Sequence, residues 1–251
     1  MTVGRFQPFT QGHLNMVNEG DAPCIVYQIQ PAEMPTSIAD IKIKGKKARK
    51  DQIQKALQFL NHEDVQLTEE EKELLKRPFT NALVKKELEL LQRTNPHIVD
   101  VVYVKNVFDA LDRFNAFCTE QGDEYEPQYW MCGDDRADNY KELIGKYSEL
   151  ETSLGSKETI PNILKDRLQV STGKGRAAGI SGTAVRAAIV NDDKEAFANI
   201  MPRCAGDMFD DFKKAFDEYK NILSGIIKEW KMTSLKDYVT ESIEGEHEDH
   251  I

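Results

Sequence analysis

Two short segments of this chain combine the residue types that bind phosphate groups. Residues 4–13 read GRFQPFTQGH and residues 180–186 read ISGTAVR. Each segment places glycine, hydroxyl groups and a cationic or imidazole side chain where a strand would turn into a helix. Unpaired N–H groups and the positive end of the helix dipole meet at such a corner, which therefore attracts anions. Two such corners, far apart in the chain, predict that a single polyphosphate is held from two sides.

In the first segment, His13 follows Gly12 at the predicted start of a helix. The glycine lets a phosphate approach the backbone closely. The imidazole can donate a hydrogen bond to a phosphoryl oxygen, and this bond strengthens as charge builds up in a transition state. The alternative is that His13 only caps the helix. Arg5, Gln7 and Thr10 in the same segment favour the chemical role.

In the second segment, residues 181–183 form a turn rich in hydroxyl and amide groups, and Arg186 follows one helical turn later. The hydroxyls and amides are suited to β- and γ-phosphates, with Arg186 making a charge-assisted bidentate contact. The alternative is that Ser181 and Thr183 serve as helix caps alone. Just upstream, Lys174 and Arg176 lie in a glycine-rich stretch and are expected to add positive charge above the ligand.

A third candidate segment, Gly133-Asp134-Asp135-Arg136, follows a predicted strand. An acidic pair at a strand end can hold ribose hydroxyls or help to hold Mg²⁺ through water. The alternative is that these residues cap the next helix.

Composition limits the classes of partner. The chain has 251 residues and a formal net charge of −10, which argues against nucleic acid as the main partner. A small anionic ligand is still compatible, because the local field in a cleft can oppose the global sign. No apolar run approaches the ~18 residues of a membrane span. Met1 leads almost at once into the first motif, so we expect no signal peptide, no membrane partner and a cytoplasmic location.

Cysteine and histidine usage predicts no protein-bound metal site. The four cysteines form no CxxC pair, and we expect buried thiols. The five histidines show no zinc-binding spacing.

The remaining pattern predicts an α/β fold with a doubly wound parallel sheet. Strands and helices alternate, which favours a parallel sheet with helices on both faces. Ligands of such sheets lie beyond the carboxyl ends of the strands, where the strand order reverses. We predict strands at 1–3, 24–30, 98–104, 128–132 and 168–172, and helices at 13–19, 110–120, 139–147 and 183–190. A further helix is predicted to begin at Pro78, with Leu83, Val84, Glu87, Leu88 and Leu91 on or near one face.

Two regions fall outside this alternation. Residues 42–77 are rich in Lys, Glu and Gln and predict a charged, largely helical insertion or lid, or a solvated helical hairpin. After Pro202, apolar residues repeat at three- and four-residue spacing and predict a long amphipathic helix that packs on the body. We therefore divide the chain into an α/β domain at 1–200 with its insertion, a C-terminal helical extension at 201–240, and an acidic tail at 241–251 that we expect to be disordered.

The two motifs resemble the paired signatures of the HxGH nucleotidylyltransferases, whose fold is a Rossmann-like α/β sheet. Within that superfamily, GRFQPF and ISGTxxR are most similar to the nicotinamide mononucleotide (NMN) adenylyltransferases, especially the archaeal-type and bifunctional bacterial enzymes. The resemblance covers residues 1–200 and excludes the insertion and the C-terminal helix. The short N-terminus and the charged insertion resemble those of nucleotidylyltransferases from large bacteriophages, whose acceptors are often unassigned.

The resemblance implies adenylyl transfer: NMN and ATP give NAD and pyrophosphate, with Mg²⁺, by direct in-line attack of the acceptor phosphate on the α-phosphate. His13 would contact the α-phosphate, Arg5 the triphosphate, and Arg186 the β- and γ-phosphates. Thr10 stands where the family has His or Thr. The implied catalytic residues are His13, Arg5 and Arg186, and the implied nucleotide- or phosphate-binding residues are Gly4, Phe6, Gln7, Thr10, Gly12, Gly133, Asp135, Arg136, Ile180, Ser181, Gly182 and Thr183.

Two alternatives stay open. One is another nucleotidylyltransferase that uses CTP or ATP with a sugar, pantetheine or glycerol phosphate, because Gly133-Asp134-Asp135 also resembles a segment of cytidylyltransferases. The other is a nucleotide-binding protein that has kept the fold without catalysis. A homo-oligomer is implied by the resemblance alone.

Overall fold

The structure is a computed structural model. It describes residues 1–19, 22–30, 40–43, 46–61, 63, 65–124, 126–153, 162–164, 167–173 and 179–248. At 123, 148–153 and 230–248 it describes the backbone alone. The described chain forms two units. The first combines Met1–Ala32 with Asn81–Phe209, and the second combines Glu33–Thr80 with Asp210–Ile251. The charged insertion and the C-terminal helix, which the sequence predicts as separate appendages, thus belong to one unit.

The strands are β1 (Thr2–Gly4), β2 (Cys24–Ile29), β3 (Lys42–Ile43), β4 (Lys46–Lys47), β5 (Ile98–Val104), β6 (Tyr129–Cys132) and β7 (Gln169–Thr172). The helices are α1 (Gln11–Asn18), α2 (Lys50–Leu60), α3 (Glu69–Lys72), α4 (Asn81–Thr94), α5 (Val107–Gln121), α6 (Ala137–Ser153), α7 (Gly182–Val190), α8 (Lys194–Ile200) and α9 (Phe209–Glu248). Short 3₁₀ turns cover Glu73–Leu75, Gly122–Glu124, Asp134–Arg136 and Arg203–Met208. Strands and helices alternate along the first unit from β1 to α7, and β3, β4, α2 and α3 of the second unit interrupt this order after β2.

The first unit is built on a five-stranded parallel sheet in the order β5-β2-β1-β6-β7. This confirms the predicted α/β class, a Rossmann-like doubly wound sheet. The strand order reverses between β1 and β6, which pair only at Thr2 and Met131. The carboxyl ends of these two strands lead into the first motif and into Gly133. The reversal is the position at which sheets of this kind bind ligands.

The strands form where the sequence is most apolar. β5 has the bounds predicted from its valine-rich run, and β2 ends one residue before the predicted Gln30. β2 is buried along nearly its whole length, as such runs suit, whereas β5 is an edge strand with Val99 and Asp100 exposed. The core joins side chains of the sheet to those of α5 and α6, and its largest buried members include Trp130, Tyr27, Leu111 and Phe114.

The predicted helices of the first unit begin at other residues than expected: α5 begins at Val107 and not at 110, α6 at Ala137 and not at 139, and α7 at Gly182 and not at 183. α1 begins at Gln11 because Thr10, with extended backbone, takes the N-cap position. α4 begins at Asn81 and not at Pro78. Phe79 belongs with Phe212 to the second unit, where the two rings pack edge-on with centroids 4.9 Å apart. The predicted face of α4 is confirmed, since all five of its named residues are buried.

The second unit contains β3, β4, α2, α3 and all of α9 after Phe209. α9 buries its predicted apolar face as far as Ile227, and the Tyr219 hydroxyl donates to the Leu74 carbonyl oxygen over 2.6 Å. The helix runs to Glu248, which differs from the disorder predicted for the acidic tail. Extending an existing helix costs far less than nucleating one, and no proline interrupts this segment. Positions 249–251 lie outside the described residues. No helix in the described part of the chain is both long and apolar enough to cross a membrane.

Candidate active site

The two motif segments touch each other in the first unit. The Arg186 guanidinium donates a hydrogen bond of 2.9 Å to the carbonyl oxygen of Gln7. Glycine allows a close approach at both contact points. A Cβ atom at Gly182 would lie 3.0 Å from the same carbonyl oxygen, and one at Gly12 would lie 3.3 Å from the Cγ2 atom of Ile180. The amino-terminal ends of α1 and α7 therefore lie side by side.

An aromatic cluster supports the first loop. The Phe6 ring lies edge-on to the His13 imidazole at 5.3 Å between centroids, and the Phe9 ring lies 5.2 Å from it. Phe6 and Phe9 are buried and 4.9 Å apart. Phe6 also has a positive φ of 41°, which a bulky residue adopts only where packing holds it. The loop is thus a fixed turn whose rings hold the imidazole.

The hydrogen bonds of His13 fix which ring nitrogen carries the proton. Its Nδ1 atom accepts from the backbone N–H of Thr10 over 2.9 Å and lies 3.0 Å from the Thr10 hydroxyl. A backbone N–H can only donate, so Nδ1 is the acceptor and the neutral ring carries its proton on Nε2. His13 stands where capping boxes usually place Glu or Gln. The capping role that the sequence left open is therefore present, and it leaves an Nε2–H donor.

Arg186 is a partly buried cation. Besides its bond to Gln7 it donates to the Thr183 hydroxyl over 3.1 Å, and it makes no ion pair with any carboxylate of the described residues. Burial lowers the pKa of Arg186 to about 10, so the side chain stays charged at neutral pH. A desolvated charge without a counter-charge is costly to keep. An anion placed beside the guanidinium would offset that cost.

Both hydroxyls of the second segment accept hydrogen bonds, and that of Ser181 caps α7. The Oγ atom of Ser181 accepts from the backbone N–H of Ala184 over 3.1 Å, and Thr183 accepts from Arg186. The capping alternative is therefore realised for Ser181. The N–H groups of Gly182 and Thr183 stand in the first turn of α7, where helices offer unpaired donors. Lys174 and Arg176 lie outside the described residues.

The acidic segment after β6 lies at the same edge of the sheet. Residues 134–136 form a 3₁₀ turn that leads into α6, and the exposed side chains of Asp135 and Arg136 pair with each other at 3.6 Å. The turn closes through Arg136 N–H donating to the Gly133 carbonyl oxygen over 2.9 Å. Since β6 is the neighbour of β1, this segment and the first loop follow adjacent strands.

The other predicted site residues differ in how far they are exposed to solvent. Arg5 is exposed, and its backbone carbonyl oxygen accepts from the Gln28 side chain over 2.9 Å. Gly4 ends β1 and is half-buried. Phe6, Gln7 and Thr10 are buried, so their side chains support the loop from within.

Sequence reasoning missed two residues that border this region. Tyr140 donates from its hydroxyl to the Val3 carbonyl oxygen over 3.2 Å, where β1 and β6 separate, and its ring stacks on Trp130. Glu87 lies fully buried beneath the first loop and accepts from the Phe9 N–H over 3.2 Å. The sequence signal for Glu87 was a carboxylate on an otherwise apolar helix face. Tyr140 had no such signal.

Among the described residues, no group of three or more His, Cys, Asp or Glu side chains is placed to hold a metal ion. A cavity of about 200 Å³ lies at the opposite, amino-terminal edge of the sheet, where Met1, Cys24 and Tyr129 line it. Neither finding adds a residue to the candidate site formed by the two motif segments.

Comparison with family models, with curated proteins and with solved structures finds no match to this chain.

Proposed function

We propose that the protein is a nucleotidylyltransferase that joins the AMP moiety of ATP to nicotinamide mononucleotide, giving NAD and pyrophosphate. The observation that carries this proposal is Arg186, a desolvated cation tied to the Gln7 carbonyl between the two motif loops. The choice of adenylyl transfer and of the NMN acceptor rests on the resemblance of GRFQPF and ISGTxxR to that enzyme family.

The arrangement suits a triphosphate. Two helix N-termini lie side by side, and each supplies a partial positive charge and unpaired N–H groups. Arg186 adds a full charge and a planar fork of donors. These groups would take the β- and γ-phosphates and stabilise the leaving pyrophosphate. Mg²⁺ would enter as part of the MgATP substrate, since Mg²⁺ is commonly held through substrate phosphates and water.

In the proposed step, an oxygen of the NMN phosphate attacks the α-phosphorus of ATP. A new P–O bond forms to the acceptor while the bond to the bridging oxygen of the β-phosphate breaks, and pyrophosphate leaves with that oxygen. No covalent enzyme intermediate is needed, because the acceptor phosphate is itself the nucleophile. The Nε2–H of His13 would donate to an α-phosphate oxygen as charge builds up on it. Positioning and electrostatics would supply the catalysis.

The test is a substrate matrix. The purified protein is incubated with ATP, CTP, GTP or UTP against NMN, pantetheine phosphate, glycerol phosphate and sugar phosphates, and pyrophosphate release is measured with product masses. The proposal predicts pyrophosphate and NAD from ATP with NMN. If the protein releases pyrophosphate from CTP with a phosphorylated alcohol but not from ATP with NMN, then the proposed nucleotide and the proposed acceptor are both wrong. If the protein binds ATP but releases pyrophosphate with no pair of substrates, it is a non-catalytic nucleotide-binding protein.

A further inference from the structure

Glu87 is an unusual residue for its place in the fold. It lies on the buried face of α4 beside Val84, Leu88 and Leu91, and none of its surface is exposed. A leucine there would continue the apolar face. Burying a carboxyl group costs free energy unless hydrogen bonds compensate for the lost water. A carboxyl group at this position therefore needs an explanation beyond packing.

Within the described part of the chain, the carboxyl group has one polar contact, and that contact is to the first motif loop. The backbone N–H of Phe9 donates to Oε2 over 3.2 Å. Phe9 is itself fully buried, so its N–H would have no water to bond if Glu87 were absent. Oε1 has no hydrogen-bond partner among the described residues. Glu87 is thus placed to satisfy a single backbone amide.

The amide that Glu87 holds is next in the chain to the amide that orients His13. Thr10 follows Phe9, and its N–H donates to Nδ1 of His13 over 2.9 Å. The Phe9 ring also packs on the imidazole. Two successive amides, one bound by Glu87 and the other by His13, therefore set the plane of the loop and the direction of the ring. A shift of the Phe9 peptide would move both contacts.

An uncharged carboxyl group suits this position. Desolvation by burial raises the pKa of Glu87 well above its usual range, against the smaller lowering effect of the Phe9 N–H. A neutral acid keeps the hydrogen bond to Phe9 without placing negative charge behind a loop suited to phosphate.

We propose that Glu87 is a positioning residue, which orients the His13 imidazole through the amides of Phe9 and Thr10. In catalysis this role rests on the proposed nucleotidylyl transfer, whereas the orientation of the ring exists without substrate. The role predicts that an uncharged hydrogen-bonding side chain can replace Glu87 and that an apolar one cannot.

The experiment compares Glu87→Gln with Glu87→Leu in the full chain. Imidazole ¹⁵N shifts are recorded at about pH 8 on histidine-labelled protein, and His13 is assigned with His13→Ala. Wild type and Glu87→Gln should show one Nε2–H tautomer, and Glu87→Leu a mixture of both. In the pyrophosphate assay, Glu87→Leu should lower kcat by about 10²-fold, the size expected for a misplaced catalytic group, with a smaller change in KM. Glu87→Gln should stay within about threefold of wild type, as expected where an isosteric neutral side chain keeps the hydrogen bond.

Asn115→Leu is the matched control, because the buried Asn115 side chain also accepts from one backbone N–H, that of Ile163, over 3.0 Å. It should leave the His13 tautomer unchanged. Wild-type tautomer and kcat in Glu87→Leu, or a Glu87→Gln variant as impaired as Glu87→Leu, would overturn the proposal. If wild type turns over no substrate pair, the proposed function fails and the ¹⁵N shifts alone decide the role of Glu87.

Discussion

The guanidinium of Arg186 and the carbonyl of Gln7, 179 residues apart in the chain, are joined by a hydrogen bond of 2.9 Å. One side chain thus links the loop after β1 to the first turns of α7. The same guanidinium donates to Thr183. Because Arg186 bonds only neutral oxygens in these contacts, its charge stays available to an anion at the junction of the two loops.

Arg186→Gln should weaken ATP binding and lower kcat/KM by about 10- to 10²-fold. A hydrogen bond to a charged group contributes about 1.5–3 kcal/mol, and 1.4 kcal/mol corresponds to about tenfold. Calorimetric titration with ATP and the pyrophosphate assay measure the two effects. Arg113→Gln is the control, since Arg113 is exposed and pairs with Asp109 on the surface. Equal ATP affinity in both variants would show that Arg186 does not contribute to ATP binding.

Two substitutions at His13 separate its role in capping α1 from its proposed role in catalysis. His13→Ala should lose about 1 kcal/mol of stability through the helix cap and about 10²-fold in kcat through the lost donor. His13→Gln should recover the stability, because Gln is a natural partner in a capping box, but not kcat. Urea unfolding and turnover measure the two losses. Full activity in His13→Gln would reduce His13 to a structural cap.

Gly182→Ala should destabilise the protein by about 1–3 kcal/mol and lower turnover, because its Cβ would lie only 3.0 Å from the Gln7 carbonyl oxygen and push the loops apart. Gly145→Ala on α6 is the matched control. A Cβ there meets nothing within 4 Å, so alanine should raise stability by about 0.5–1 kcal/mol. Thermal unfolding checks both, and a neutral Gly182→Ala would contradict the close contact of the loops.

The buried acid predicts a pH dependence of stability. Because the pKa of Glu87 is raised above its ordinary value of 4.5, the folded state holds a proton that the unfolded state releases. Wild-type stability relative to Glu87→Gln should therefore be greatest below about pH 4.5 and fall as pH rises towards the folded-state pKa, with a limiting slope of about 1.4 kcal/mol per pH unit. Urea unfolding of both proteins from pH 5 to 8 measures the difference. Parallel curves would show that Glu87 is already ionised in the folded protein.

The elements that could be predicted from the sequence are those with a pattern in neighbouring residues. The valine-rich run of β5 and the apolar face of α4 each predict their own structure, because a β-branched run and an apolar helix stripe are short-range patterns. The placement of both motifs after parallel strands followed from the alternation of strands and helices. The meeting of the two loops was predicted from their shared chemistry, and the Arg186–Gln7 contact bears out that meeting.

Long-range contacts account for what the sequence did not reveal. The bond between Glu87 and Phe9 joins residues 78 positions apart, so no local pattern records it. The joining of the insertion with α9 depends on contacts such as Tyr219 with Leu74. The short α8 and the β3–β4 hairpin carry too few residues for a clear periodicity. In the first loop, the capping role of His13 was foreseen only as an alternative, and the structure shows that Nδ1 takes that role by accepting from the Thr10 N–H.

The central claim is that the loops carrying His13 and Arg186 hold one triphosphate between them. Its most direct test is a crystal structure of the protein with Mg²⁺ and a non-hydrolysable ATP analogue. The account predicts the triphosphate at the adjoining N-terminal ends of α1 and α7, with Arg186 on the β- or γ-phosphate and His13 Nε2 facing the α-phosphate. A nucleotide bound elsewhere, with neither side chain in contact with its phosphates, would contradict it.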